Sequence, residues 1–136
     1  MTALALVDPA RPRPPGLGAD FRAAIAFYPG CRAVRDRGGW TSRMPLAILI
    51  GDADNWSSPG PCRDLAAAAR AHGAAVEFTL YPGAYHDFDH PDLPARVRGN
   101  VAGTRSGTAT LGTDPAARAD ALVRVPAFLA RTLPRS

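Results

Sequence analysis

Two short apolar runs sit in the middle of the chain, and each ends abruptly at a glycine-bearing loop. Leu46-Ala47-Ile48-Leu49-Ile50 is followed by Gly51-Asp52-Ala53-Asp54. Val76-Glu77-Phe78-Thr79-Leu80 is followed by Tyr81-Pro82-Gly83-Ala84-Tyr85-His86-Asp87-Phe88-Asp89. Both runs read as strands, and the continuous apolar character of Leu46 to Ile50 suits a parallel strand covered on both faces. Between them, Cys62 to Ala71 is rich in alanine, the best helix former. Pro61 suits the first turn of that helix and Gly73 its stop. Leu65, Ala68, Ala69 and His72 recur at helical spacing and predict its packing face. This alternation of strand and helix argues for a parallel sheet.

The rest of the chain extends the pattern. Phe21 to Tyr28 is a mostly apolar run ended by Pro29-Gly30 and reads as a further buried strand. Met1 to Val7 is helix-compatible but short, and Asp8 to Gly16 is a proline-rich loop. Cys31 to Arg43 reads as a loop. His90 to Gly112, punctuated by proline and glycine, reads as a long polar connection with one helical turn near Ala95-Arg96-Val97. Asp114-Pro115 is an N-cap followed by proline, opening a helix to about Thr132. Leu122, Val125 and Leu129 are expected on its packed face, with a kink at Pro126. The fold class is α/β, about three parallel strands with flanking helices.

Ligands of such sheets bind at the carboxyl ends of the strands. Three stretches reach that rim: Pro29-Gly30-Cys31, Gly51 to Asp54, and Gly83 to His86. An acid loop followed by a histidine loop is the second half of a nucleophile–His–Asp site. There the imidazole is the base, and the carboxylate fixes its tautomer and stabilises its charged form. His86 is the candidate base and Asp54 the candidate acid. Asp52 reads as a turn residue, His72 as a residue suited to a helix end, and His90 as a loop residue. The spacing of Asp87, Asp89, His86 and His90 matches no usual zinc signature, so neither metal nor cofactor is expected. Trp56 and Tyr85, beside the acid and the histidine, are candidate substrate-pocket residues.

Composition narrows the partners. All 16 basic residues are arginines, scattered along the chain, against 12 acidic ones. Nucleic-acid surfaces show clustered basic stripes instead, so no nucleic-acid partner is expected. No apolar run approaches the roughly 18 residues of a membrane span, and no signal-peptide pattern opens the chain. Cys31 and Cys62 can form at most one disulfide, and their number does not suggest a secreted disulfide framework. A cytoplasmic, reduced protein is therefore the expectation. Cys31 shares the rim with Asp54 and His86; it reads either as a buried thiol or as a displaced nucleophile. Cys62, at a helix start, reads as structural.

At this point a resemblance is visible. Gly51-Asp52-Ala53-Asp54-Asn55-Trp56, the helix start Pro61-Cys62-Arg63, and Tyr81-Pro82-Gly83-Ala84-Tyr85-His86-Asp87-Phe88 resemble the C-terminal half of the dienelactone hydrolase family. Phe21 to Cys31 is similar to the strand after that family's nucleophile helix, and Gly112 to Leu133 to its closing helix. The resemblance implies an α/β-hydrolase fold and hydrolysis of esters or lactones, with Asp54 and His86 in the triad. It implies a single partial domain over residues 1–136: a remnant helix and Pro-rich loop over 1–20, then a core over 21–136 with a variable loop at 92–111. The family carries its nucleophile in a Gly-x-Cys-x-Gly or Gly-x-Ser-x-Gly elbow. This sequence has none, and the resemblance sets the elbow just upstream of Met1, on an N-terminally truncated chain.

Two further expectations follow. The strand at Arg22 to Phe27 becomes an edge strand, which predicts self-association through its free edge. The competing function is then a non-catalytic α/β module that pairs with itself or a partner through that edge. A flavodoxin-like ligand-binding domain would need a glycine-rich phosphate loop after a strand, and Gly38-Gly39 and Gly99 to Gly112 do not supply one in that context.

Overall fold

The apolar runs do form neighbouring parallel strands. In the computed structural model, which describes residues 3–13, 15, 16 and 18–133, β1 (Ala24–Phe27), β2 (Leu46–Gly51) and β3 (Val76–Tyr81) form a parallel sheet in the order β1-β2-β3. Met1 and Thr2 of the expected first helical turn, and Pro14 of the expected loop, lie outside the described residues.

Strand β2 is central and buried at every position. Its alternation divides the core in two. Leu46, Ile48 and Ile50 pack with Leu4 and Val7 of α1 (Ala3–Val7) and with Cys62, Leu65, Ala66 and Ala69 of α3 (Pro59–Ala71). Ala47 and Leu49 pack with Phe88 and with Ala117, Ala121 and Phe128 of α4 (Pro115–Thr132). Each fully buried Leu, Ile or Phe contributes about 1.5–3 kcal/mol. The two-sided core therefore anchors β2, and with it the loop at its carboxyl end. Among the described residues, no helix is long and apolar enough to cross a membrane.

Several local readings change. The segment after Cys31 is a short helix, α2 (Arg32–Arg37), with no buried residue, so no apolar period could announce it. Arg96–Arg98 is not helical but strand β4, paired antiparallel with β5 (Ala109–Leu111). All three β4 residues are exposed, so the alternation that marks a half-buried strand is missing. Helix α3 starts at Pro59 and packs through Cys62, Leu65, Ala66 and Ala69, while Ala68 and His72 face solvent. On α4, Val125 and Leu129 pack against the core but Leu122 is exposed. The expected Asp114 cap is present, its side chain accepting the Ala117 N–H at 2.9 Å, and the helix continues through Pro126.

Tyr81, at the end of β3, donates its hydroxyl to Asp120 Oδ2 of α4 at 2.8 Å, and Arg124 Nε donates to the same oxygen at 2.8 Å. Burial first, and the Asp120 carboxylate second, push the Tyr81 hydroxyl up to about 12. A folded-state value raised above the unfolded one stabilises the fold fully below the unfolded pKa, and that contribution is lost as pH rises toward the folded value. Stability should fall between about pH 10 and 12. Tyr81→Phe should flatten that slope in urea titrations and remove one late step from the phenolate absorbance titration.

Candidate active site

The carboxyl ends of β1, β2 and β3 bring three loops together. Asp54 follows β2 in a tight turn and is 2% exposed. Its Oδ1 accepts the Trp56 and Ser57 backbone N–H groups, each at 2.9 Å. Those bonds aim Oδ2 at the next loop, where His86 Nδ1 lies 2.9 Å away. A carboxylate here makes Nδ1 the donor, so that in the neutral imidazole Nε2 is the acceptor, the tautomer of a general base. Asp87 Oδ1 is 3.9 Å from Nε2.

The two loops are also tied through backbone. Asp52 Oδ1 accepts the Gly83 N–H at 2.6 Å, and the Ala84 carbonyl accepts the Ala53 N–H at 3.2 Å. Asp52 is thus more than a turn residue: it links the acid loop to the histidine loop. On the far side, the His86 carbonyl accepts the Gly112 N–H and the Phe88 carbonyl accepts the Asp114 N–H, both at 3.0 Å. The histidine loop is held at both ends by elements of the core.

Two rings pack on the imidazole. Trp56 lies 4.7 Å from it and Tyr28, at the end of β1, 4.2 Å, centroid to centroid. The Tyr28 hydroxyl donates to Asp89 Oδ1 at 3.0 Å. Burial, and then the Asp89 carboxylate, push that hydroxyl far above the ordinary tyrosine range. Tyr28, Ser58 and Asp87 hold positive φ values of 36°, 56° and 61°. Non-glycine residues in that region cost about 1–3 kcal/mol each and cluster at functional sites. Sequence reasoning missed Tyr28, because a tyrosine closing an apolar strand looks like core.

The remaining candidates fare differently. Trp56 lines a cleft of about 550 Å³ with Arg32, Ser57 and Gly103. Tyr85 is 37% exposed, and the tyrosine that packs on His86 is Tyr28 instead. Cys31 is joined to Cys62 in a disulfide and fully buried. It therefore has no thiolate to attack a substrate, which corrects its reading as a displaced nucleophile and the expectation of reduced cysteines. Among the described residues, no group of three or more His, Cys, Asp or Glu side chains could hold a metal ion.

A parallel sheet flanked by helices, with a buried Asp54 hydrogen-bonded to His86 at its carboxyl rim, is the arrangement of the α/β-hydrolase class. The model of the dienelactone hydrolase family matches residues 15–133, and the chain belongs to that family. Comparison with curated proteins and with solved structures finds no match. Membership places the chain among hydrolases.

Proposed function

We propose that the chain serves a carboxylic ester or lactone hydrolase in which His86 is the general base and Asp54 its orienting acid. The observation that carries this reading is the 2.9 Å contact between His86 Nδ1 and the nearly inaccessible Asp54 carboxylate. We further propose that the nucleophile belongs to a segment outside residues 1–136, on a strand that pairs with the free edge of β1. Support comes from the sequence, which has no Gly-x-Ser/Cys-x-Gly. It also comes from the sheet order, which among the described residues gives β1 one neighbour. His86 Nε2 accepts no hydroxyl or thiol hydrogen bond among the described residues. Reading the DNA in frame upstream of Met1 tests this directly: codons for the elbow are expected, and their absence sinks the proposal of a missing segment. The ester-hydrolysis assay then compares the extended and short chains, and trapping with a small acyl or lactone substrate defines the class.

A second reading has its own observation. Phe21, three residues before β1, and Leu122 and Val123 of α4 are exposed, and Phe27, Leu122, Val125 and Pro126, with Asp89 and Arg118, line a mostly apolar cavity of about 180 Å³. A non-catalytic module that pairs through the β1 edge would use these residues. Sedimentation of residues 1–136 separates the two: this reading requires a stable oligomer, whereas a monomer that gains activity with the elbow segment rejects it. A buried disulfide is uncommon in a reducing cytoplasm. Thiol trapping in cells that make the chain decides between the cytoplasm expected from the sequence and an oxidising compartment.

A further inference from the structure

The disulfide sits where the two imidazole-packing rings are anchored. Tyr28 precedes Cys31 by three residues at the exit of β1, and Trp56 precedes Cys62 by six on the loop that enters α3. Both sulfurs are fully buried and lie against the Pro29 carbonyl, at 3.5 and 3.1 Å. A second tie runs beside the bridge: Ser57 Oγ donates to the Tyr28 carbonyl at 2.7 Å. Tyr28 needs such restraint. Its φ of 36° is a conformation that a bulky side chain holds only where the surroundings over-determine it. Helix α2, which follows Cys31, has no fully buried residue and rests on the core through the half-buried Val34.

We propose that the Cys31–Cys62 bridge is a positioning element for His86. It fixes the spacing of the loops that carry Tyr28 and Trp56, and through those rings it holds the imidazole on Asp54. Opening the bridge lets Tyr28 relax to a negative φ, withdraws its ring and loosens the Nδ1–Asp54 bond. A dithiol reductant opens it by breaking the S–S bond. The reductant is oxidised to its own disulfide, and Cys31 and Cys62 each keep a protonated thiol. The proposal rests on the reading of His86 as a base only for its consequence in catalysis.

The test is nuclear magnetic resonance on residues 1–136, which needs no activity. The His86 Nδ1 proton is identified by its loss in His86→Gln, and its solvent exchange is measured together with the Tyr28–His86 ring contact. In the Cys31→Ala/Cys62→Ala variant, and in the wild-type chain reduced with dithiothreitol, exchange should quicken by about tenfold or more. The ring contact should weaken, and reoxidation of the reduced wild type should restore both. Unchanged exchange and ring contact, with only a lower melting temperature, would overturn the proposal. So would complete unfolding of the reduced wild-type chain, because the bridge would then serve the whole fold. These outcomes leave the hydrolase reading untouched, just as an inactive extended chain would leave the positioning role untouched.

Discussion

In a chain extended by a nucleophile-bearing segment, His86→Gln should lower kcat/KM for an activated carboxylic ester by about four to six orders of magnitude. The Asp54 carboxylate cannot take over as the base, because it is committed to three hydrogen bonds. Asp54→Asn should cost about 10⁴-fold by a different route. The introduced amide can keep its oxygen on the Trp56 and Ser57 N–H groups and turn its NH₂ toward Nδ1. That forces Nδ1 to accept and moves the ring proton to Nε2, where it blocks proton transfer from the nucleophile. The stability of this variant should change little, since the loop bonds survive. Steady-state kinetics of the wild type and both variants check the prediction; retention of activity within tenfold in His86→Gln would remove His86 from the mechanism. In residues 1–136 alone, neither substitution should alter the background rate.

The parts of the site that were legible in the sequence share one physical property: they lie on strands fixed by the core. Leu46 to Ile50 is apolar because β2 is covered on both faces, and β3 is short and pairs with it along its length, so the ends of both strands, and the loops bearing Asp54 and His86, could be placed. The α4 start was legible because Asp114 caps it with its own side chain. What was illegible depends on contacts between distant residues. Tyr28 reaches His86 across a separation that no local pattern encodes. Asp52 looks like any turn residue until Gly83 is brought against it. The pairing of Cys31 with Cys62 requires α2 and α3 to start side by side, with Cα atoms 5.0 Å apart. Strand β4 is exposed at every position and leaves no periodic trace, and β5, although it buries Ala109 and Leu111, is only three residues long.

Gly51 offers the strongest test of how the fold sets the site, and Gly51→Ala should lower stability by about 3 kcal/mol, at the upper end of overpacking costs. The glycine is not required for a left-handed conformation, because its φ is not positive. It is required for close approach: a Cβ there would overlap the carbonyl group of Ala84, which is backbone and cannot rotate away. That carbonyl belongs to the histidine loop and accepts the Ala53 N–H of the acid loop. The only relief is to push the two loops apart, and the Asp54–His86 bond spans the same gap. A misplacement of about 1 Å costs roughly 10²-fold in rate in a preorganised site. The Nδ1 proton of His86 should therefore lose its protection in Gly51→Ala even where the chain remains folded. Gly83→Ala is the control. Gly83 has φ +72° and nothing within 4 Å of an added Cβ, so the substitution costs only the left-handed penalty of about 1–2 kcal/mol and should leave the Nδ1 proton protected. Denaturant titration and proton exchange on the two variants separate the effects. Equal protection in both would show that the spacing of the two loops is set by something other than the missing side chain at Gly51.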